Sequence, residues 1–116
     1  MQRQFRLTRS TDFKRVRRLG KSYAHPLVVL VALQTEHAVV RVGVAAGKTI
    51  GNAVKRNRAK RLLRAAIQPI LAEVIPGWEM ILIARAPILN AHMLEVRAAL
   101  TAVLGRARIL GQQDEG

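Results

Sequence analysis

The stretch GNAVKRNRAKRLLR, residues 51–64, sets six cations into the ten positions from Lys55 to Arg64, with Asn57 the other polar side chain among them. Such groups carry no nucleophile and no general base. Their chemistry is the capture of phosphate oxygens, and the guanidinium fork matches phosphate geometry better than an ammonium does. Groups suited to acid–base or metal chemistry are sparse by comparison. The chain has no cysteine, which excludes a disulfide framework and thiolate metal sites. His25, His37 and His92 lie far apart in sequence with few acids nearby. A protein nuclease normally needs clustered carboxylates or histidines, so no catalytic residue and no metal ligand is assigned.

Charge carries the same message across the whole chain. Lys and Arg number 20 against 7 Asp and Glu, a formal net charge of +13 over 116 residues. Residues 1–64 hold 16 of the cations and two acids, a net of +14, while residues 65–116 hold 4 cations and 5 acids, a net of −1. Self-repulsion of that size costs folding stability, so a basic half beside a neutral half points to a face that meets a polyanion, with nucleic acid first. No apolar run approaches the length of about 18 residues that spans a bilayer, and Arg3, Arg6 and Arg9 lead into polar sequence rather than a signal-peptide core. A cytoplasmic protein with no membrane partner is expected. Half of the residues are apolar, enough for one compact domain over residues 1–116.

The elements that must position the cations follow from pattern and punctuation. Ser10 or Thr11 can cap a helix through Leu19, with Phe13 and Val16 on one face and Gly20 ending it. Pro26 precedes LVVLVAL, a strand too uniformly apolar to have a wet face. A turn around Thr35 to His37 leads to AVVRVGVAA, residues 38–46, which reads as its antiparallel partner. A helix is predicted over residues 52–75, ended by Pro76 and Gly77. WEMILIAR, residues 78–85, is a third strand whose opening Trp78 is expected to be partly buried. Pro87 punctuates it, and Asn90 is a plausible cap for a last helix toward Leu110. Mixed strands and helices of this kind give an α+β fold.

On a wheel at 100° per residue, Ala59, Leu62, Leu63, Ala66, Ile70 and Val74 share one side of the long helix, while Asn57, Lys60, Arg61, Arg64 and Gln68 share the other. Lys55, Arg56 and Arg58 flank the basic side early in the helix, where cations oppose the positive end of the dipole. Solvated faces usually mix signs, and no acid lies between Lys48 and Glu73. Gly51 and Asn52 open this helix with free backbone N–H groups, Lys48 precedes them, and that end can hold a phosphate.

These residues resemble the signature of the bacterial ribonuclease P protein family, in which RNR is followed by KR and a further arginine, here Arg56, Asn57, Arg58, Lys60, Arg61 and Arg64. The likeness extends to Arg6 and Leu7, to DFKRV with Asp12, Phe13 and Val16, to Gly20, to RVGVAAGKTIG before the motif and to GWEMILIAR after it, covering about residues 6–104. It implies an αβββαβα sandwich with a small mixed sheet and a left-handed βαβ crossover, against the usual right-handed preference. The resemblance also implies a protein that does no cleavage itself. A catalytic RNA, binding Mg2+ mainly through its own groups, removes the 5′ leader of precursor tRNA, the RNR helix contacts that RNA, and a cleft between the first helix and the sheet holds the leader. No cofactor is expected on the protein alone.

Carried over residue by residue, the cleft comprises Phe13, Arg17, Val31 and Lys48. Arg17 and Val31 stand where the family commonly has aromatics, Ala45 and Gly47 where it has serines, and Thr49 where it has a second lysine. Leader contact is therefore expected to rest on charge and backbone more than on stacking, which elsewhere contributes about 1–3 kcal/mol per base. Phe13 is equally at home in a core. Residues 111–116 read as a disordered tail, and Arg85 is unassigned. A ribosomal or other structural RNA-binding protein would share the charge and the mixed fold. A DNA-binding helix-turn-helix does not fit a basic helix flanked by strands, and a membrane-surface helix does not fit an apolar side committed to a sheet.

Overall fold

The computed structural model describes residues 3–111. Its main elements run α1 (Ser10–Leu19), β1 (Lys21–Ala24), β2 (Val28–Gln34), β3 (Val40–Ala45), α2 (Ala53–Ile67), β4 (Trp78–Ala84) and α3 (Met93–Arg106). That order is αβββαβα. The four strands form one sheet in the order β1-β2-β4-β3, antiparallel except for the parallel pair of β3 with β4.

Side-chain alternation divides the sheet into two faces. On one, Val28, Leu30, Val42, Val44, Met80 and Leu82 pack with Leu63 and Ile67 of α2 and Leu100 and Leu104 of α3. Burying a side chain of this size contributes about 1.5–3 kcal/mol, so this layer holds most of the fold's stability. The other face is smaller: Val31 and Ile81 meet Leu7 and Val16 beneath α1, with Phe13, Val29, Leu33, Ala45 and Ile83 at its margin. Helix α1 thus covers one side of the sheet, and α2 and α3 cover the other.

The antiparallel pairing expected between β2 and the strand at residues 38–46 does not occur. Strand β4 lies between them, pairing antiparallel with β2 from Val28↔Ala84 to Gln34↔Trp78 and parallel with β3 from Val40↔Trp78 to Ala45↔Ile83. Covered on both faces and apolar but for Glu79, β4 is suited to the centre of the sheet, whereas β3 carries the exposed Arg41 and tolerates an edge. The true antiparallel neighbour of β2 on its other side is β1, a four-residue strand, largely exposed, with no apolar alternation to announce it. Trp78 is half-buried at the start of its strand, as expected.

Helix boundaries differ in three places. At α1 the residue preceding the helix is Arg9, with extended backbone and no side-chain cap, so Ser10 lies inside the first turn and Thr11 is not a cap. The α-helix of residues 52–75 ends at Ile67 and continues as 3-10 helix over Gln68–Glu73, because Pro69 has no N–H to give the carbonyl four residues back. Ile70 and Val74 still reach the core from that tighter path. The last helix is capped at His92 rather than Asn90, where the His92 N–H donates to Glu95 Oε1 at 2.8 Å. Among the tail residues, Gly111 is held by its N–H on the Glu73 carbonyl at 2.8 Å, and residues 112–116 lie outside the described residues.

Candidate nucleic-acid interface

Helix α2 begins where the chain leaves β3 through a short 3-10 turn, Lys48–Ile50. Gly51 adopts φ 135°, a conformation that L side chains rarely reach, and so lets the chain turn into the helix. Asn52 is the cap: its Oδ1 accepts the Lys55 N–H at 3.0 Å. The cap takes the Lys55 N–H and leaves the Ala53 and Val54 N–H groups of the first turn without an intrahelical acceptor, and Lys48, in the preceding turn, is exposed. At the helix start, where Gly51 and Asn52 were expected to hold a phosphate, the Asn52 side chain is occupied as the helix cap.

Downstream, the wheel holds. Ala59, Leu63 and Ala66 are buried and Leu62 is half-buried, and Ile67, which the wheel did not single out, is buried with them. Lys55, Asn57, Arg58 and Arg61 are exposed, and Arg56, Lys60 and Arg64 are half-buried with their stems along the helix. No acid stands in the first turn, and among the described residues none of these cations has an ion-pair partner. The basic face is an uncompensated field directed away from the sheet, the electrostatic form expected of a phosphate-binding surface.

The second surface lies across the sheet. Glu79, 8% exposed, is the buried acid of the described residues. Arg15 of α1 sits 2.7 Å from Glu79 Oε1 and donates a 3.0 Å hydrogen bond to Asp12. Hydrogen bonds to Asp12 first and Glu79 second raise the Arg15 pKa further above its ordinary value, and the two contacts clamp one flank of α1 to the Glu79 end of the sheet. At 100° per residue, Arg17 falls on the opposite flank of α1. That flank faces the cross-strand row Ala24, Val29, Ile83 and Ala45, whose last three members are half-buried and not roofed by the helix. These residues outline a candidate groove, with half-buried Val29, Ile83 and Ala45 as its apolar floor, the exposed Arg17 on α1, and Lys48 and Arg85 following the ends of β3 and β4.

Two of the four residues assigned to the cleft are not open groove surface. Val31 is 4% exposed, two residues further along β2 from the floor and directly beneath α1, so it belongs to the core. Phe13 is half-buried with its ring seated on Gly43 of the edge strand, so that it serves packing first. A Cβ at Gly43 would lie 2.3 Å from Phe13 Cζ. Gly43→Ala is therefore expected to displace the ring and cost about 1–3 kcal/mol, measured by denaturant unfolding; unchanged stability would show the ring free to move. Sequence reasoning missed the floor, Val29 and Ile83, because both looked like ordinary strand interior, and left Arg85 unassigned although its guanidinium stands exposed with a 3.4 Å contact to the His25 carbonyl.

The histidines stay apart. His25 accepts the Leu27 N–H through Nδ1 at 3.1 Å in the β1–β2 turn, His37 is exposed in the β2–β3 turn, and His92 starts α3. Among the described residues no group of three or more His, Cys, Asp or Glu is placed to hold a metal ion. No helix among them is long and apolar enough to cross a membrane.

The fold and its charge define a small, strongly basic α+β sandwich, with the bare cationic helix α2 on one side of the sheet and the exposed Arg17 of α1 on the other. The chain belongs to the ribonuclease P protein family, whose family model, Ribonuclease P, matches residues 1–108. A Listeria innocua protein named ribonuclease P protein component is 39% identical over 114 residues, covering 97% of this chain and 96% of that one. The Herpetosiphon aurantiacus protein of the same name is 36% identical over 115 residues, 99% of this chain and 94% of that one. The solved Staphylococcus aureus RNase P protein superposes with a TM-score of 0.80 at 29% identity, over 91% of this chain and 97% of that chain.

Proposed function

We propose that this chain is the protein subunit of a ribonuclease P ribonucleoprotein, which binds the catalytic RNA through α2 and the 5′ leader of precursor tRNA through the groove between α1 and the sheet. The observation that carries the proposal is the placement of two separate cationic surfaces on opposite sides of one sheet, which lets one small protein hold two RNA segments at once. Arg56, Asn57, Arg58, Lys60, Arg61 and Arg64 present the first surface. Arg17 and Lys48, with Arg85 at the rim, present the second. Phosphodiester hydrolysis, with its Mg2+ ions, belongs to the RNA, and the protein contributes affinity and positioning.

Precursor tRNA cleavage measured at low magnesium with the catalytic RNA alone, then with this protein added, tests the proposal. Stimulation is expected, and its absence sinks the reading. Lys48→Ala or Arg17→Ala is expected to weaken precursor binding by more than mature tRNA binding, and equal weakening of both would move these residues out of the groove. Replacing His25, His37 and His92 together by Gln is expected to leave the single-turnover cleavage rate at saturating metal unchanged. A fall in that rate with the fold intact would place acid–base chemistry on the protein.

A further inference from the structure

Strand β3 is an edge of the sheet, and its outer side is only partly covered. The N-terminal segment meets it at a single parallel bridge, Arg6 with Val42, where the Leu7 N–H donates to the Val42 carbonyl at 3.0 Å. At Thr8 the chain turns away toward α1. In a parallel ladder, polar groups of alternate residues face the same side, so the N–H and carbonyl of Val44 are turned like those of Val42, toward a place where the covering segment no longer runs. A recess of about 250 Å3 opens there, lined by Arg6 and Thr8 from the segment, Val44 from the strand, and Arg64 from α2. Its lining includes no acid.

Two arginines on different elements thus share one small recess without compensation. Among the described residues neither side chain has an ion pair or a hydrogen bond, whereas Arg15 pairs with Asp12 and Glu79, and Arg85 and Arg106 reach backbone carbonyls. Like charges brought together cost energy unless an anion joins them. The recess is smaller than the roughly 300–1,000 Å3 typical of small-molecule pockets, which suits a phosphate group on a continuing strand better than a compact metabolite. From this juxtaposition we propose that Arg6, Thr8, the Val44 N–H and Arg64 form a clasp for one RNA phosphodiester, so that the N-terminal segment and α2 grip the same phosphate. The guanidinium groups supply charge and paired donors, the Thr8 hydroxyl and the strand amide supply neutral donors, and the phosphate closes the unfinished edge of β3.

This clasp rests on the proposed function, because Arg64 also belongs to the α2 surface. The phosphate could come from the catalytic RNA or from the precursor leader. Affinities of the full chain for catalytic RNA, and of the reconstituted complex for precursor and mature tRNA, are measured for the wild-type protein, Arg6→Gln, Arg64→Gln and the double variant. Each single change is expected to weaken one of these affinities about five- to eightfold at 0.1 M salt, the cost of one lost phosphate contact. The double variant is expected to lose clearly less than the product of the two, because the second arginine has little left to hold once the first is gone. A loss in catalytic-RNA binding assigns the phosphate to that RNA, and a loss confined to precursor over mature tRNA assigns it to the leader. Full affinity in Arg6→Gln, or single losses that multiply, overturns the clasp. Arg6 joins β3 through its backbone, so Arg6→Gln should keep its melting temperature. Should it not, Arg6→Lys, which retains the charge and loses the fork, replaces it and is expected to recover part of the affinity. Failure of the wild-type protein to bind either RNA would instead sink the proposed function and is read from the first arm.

Discussion

Combined replacement of Lys60, Arg61 and Arg64 by Ala is expected to weaken catalytic-RNA binding roughly 100- to 500-fold at 0.1 M salt, with the protein still folded. Each phosphate contact steepens the plot of log affinity against log salt by about 0.7–0.9, which amounts to about five- to eightfold per contact over the decade from 1 M to 0.1 M. Three lost contacts flatten the slope by roughly 2 to 3 units. Thermal stability should hold or rise, because none of the three side chains is fully buried, Ala is the best helix former, and removing like charge relieves repulsion. Asn57→Ala is the control within the same face. It has no charge to lose, so it should weaken binding through lost hydrogen bonds with almost no change in slope. An unchanged slope in the triple variant, together with a lower melting temperature, would show that this face serves the fold instead.

Gly20→Ala is expected to destabilise the protein by about 1–3 kcal/mol and, in what remains folded, to erase most of the preference for precursor over mature tRNA. The reason is distance rather than backbone freedom, since Gly20 has an ordinary φ of −78°. A Cβ there would lie 2.6 Å from the Val16 carbonyl oxygen, 2.9 Å from the Ala32 carbonyl oxygen and 2.9 Å from Val31 Cγ1. Two of those neighbours are backbone and cannot rotate away, so the end of α1 must lift from the sheet. Arg17, in the last turn, moves with it, and the groove changes width. Unfolding curves and paired binding measurements check both halves, and wild-type stability with intact discrimination would show that α1 does not set the groove.

Charge and apolar spacing made α2 legible before any coordinate, because a helix that must bury one side and present six cations on the rest leaves a periodic record. The same logic placed Phe13 and Val16 under α1 and gave Trp78 its half-buried strand start. What stayed hidden involved neighbours distant in sequence. Nothing in LVVLVAL or AVVRVGVAA says that WEMILIA will come between them, since adjacency in a sheet is decided by which apolar strand most needs two covered faces. Strand β1 was invisible to pattern because KSYA is mostly exposed, and the resemblance alone supplied it. Pro69 was overlooked as a helix breaker because the wheel continued plausibly beyond it. Val31 was assigned to the cleft by alignment, yet α1 crosses the sheet directly above it, a fact of packing that no linear motif records. Arg6 carried part of the family likeness without a role until the coordinates set it across a recess from Arg64.

The central position of β4 has a consequence for how the molecule assembles. Strand β4 reaches β3 only across the whole of α2 and reaches β2 only across β3 and α2, and β3, apart from its bridge with Arg6, has no other strand to join. While residues 1–77 emerge alone, the β1–β2 hairpin and β3 have no common sheet, and α2, already carrying its cations, has only half a surface on which to lay its apolar side. Folding must wait for a late, long-range insertion, which is slow in proportion to the loops it closes. The amides of β4 should then exchange with solvent only through global unfolding, while β1 at the far edge opens locally. The basic helix gains its fixed orientation in the step that completes the sheet, so a nascent chain lacking β4 displays the charge but not the geometry.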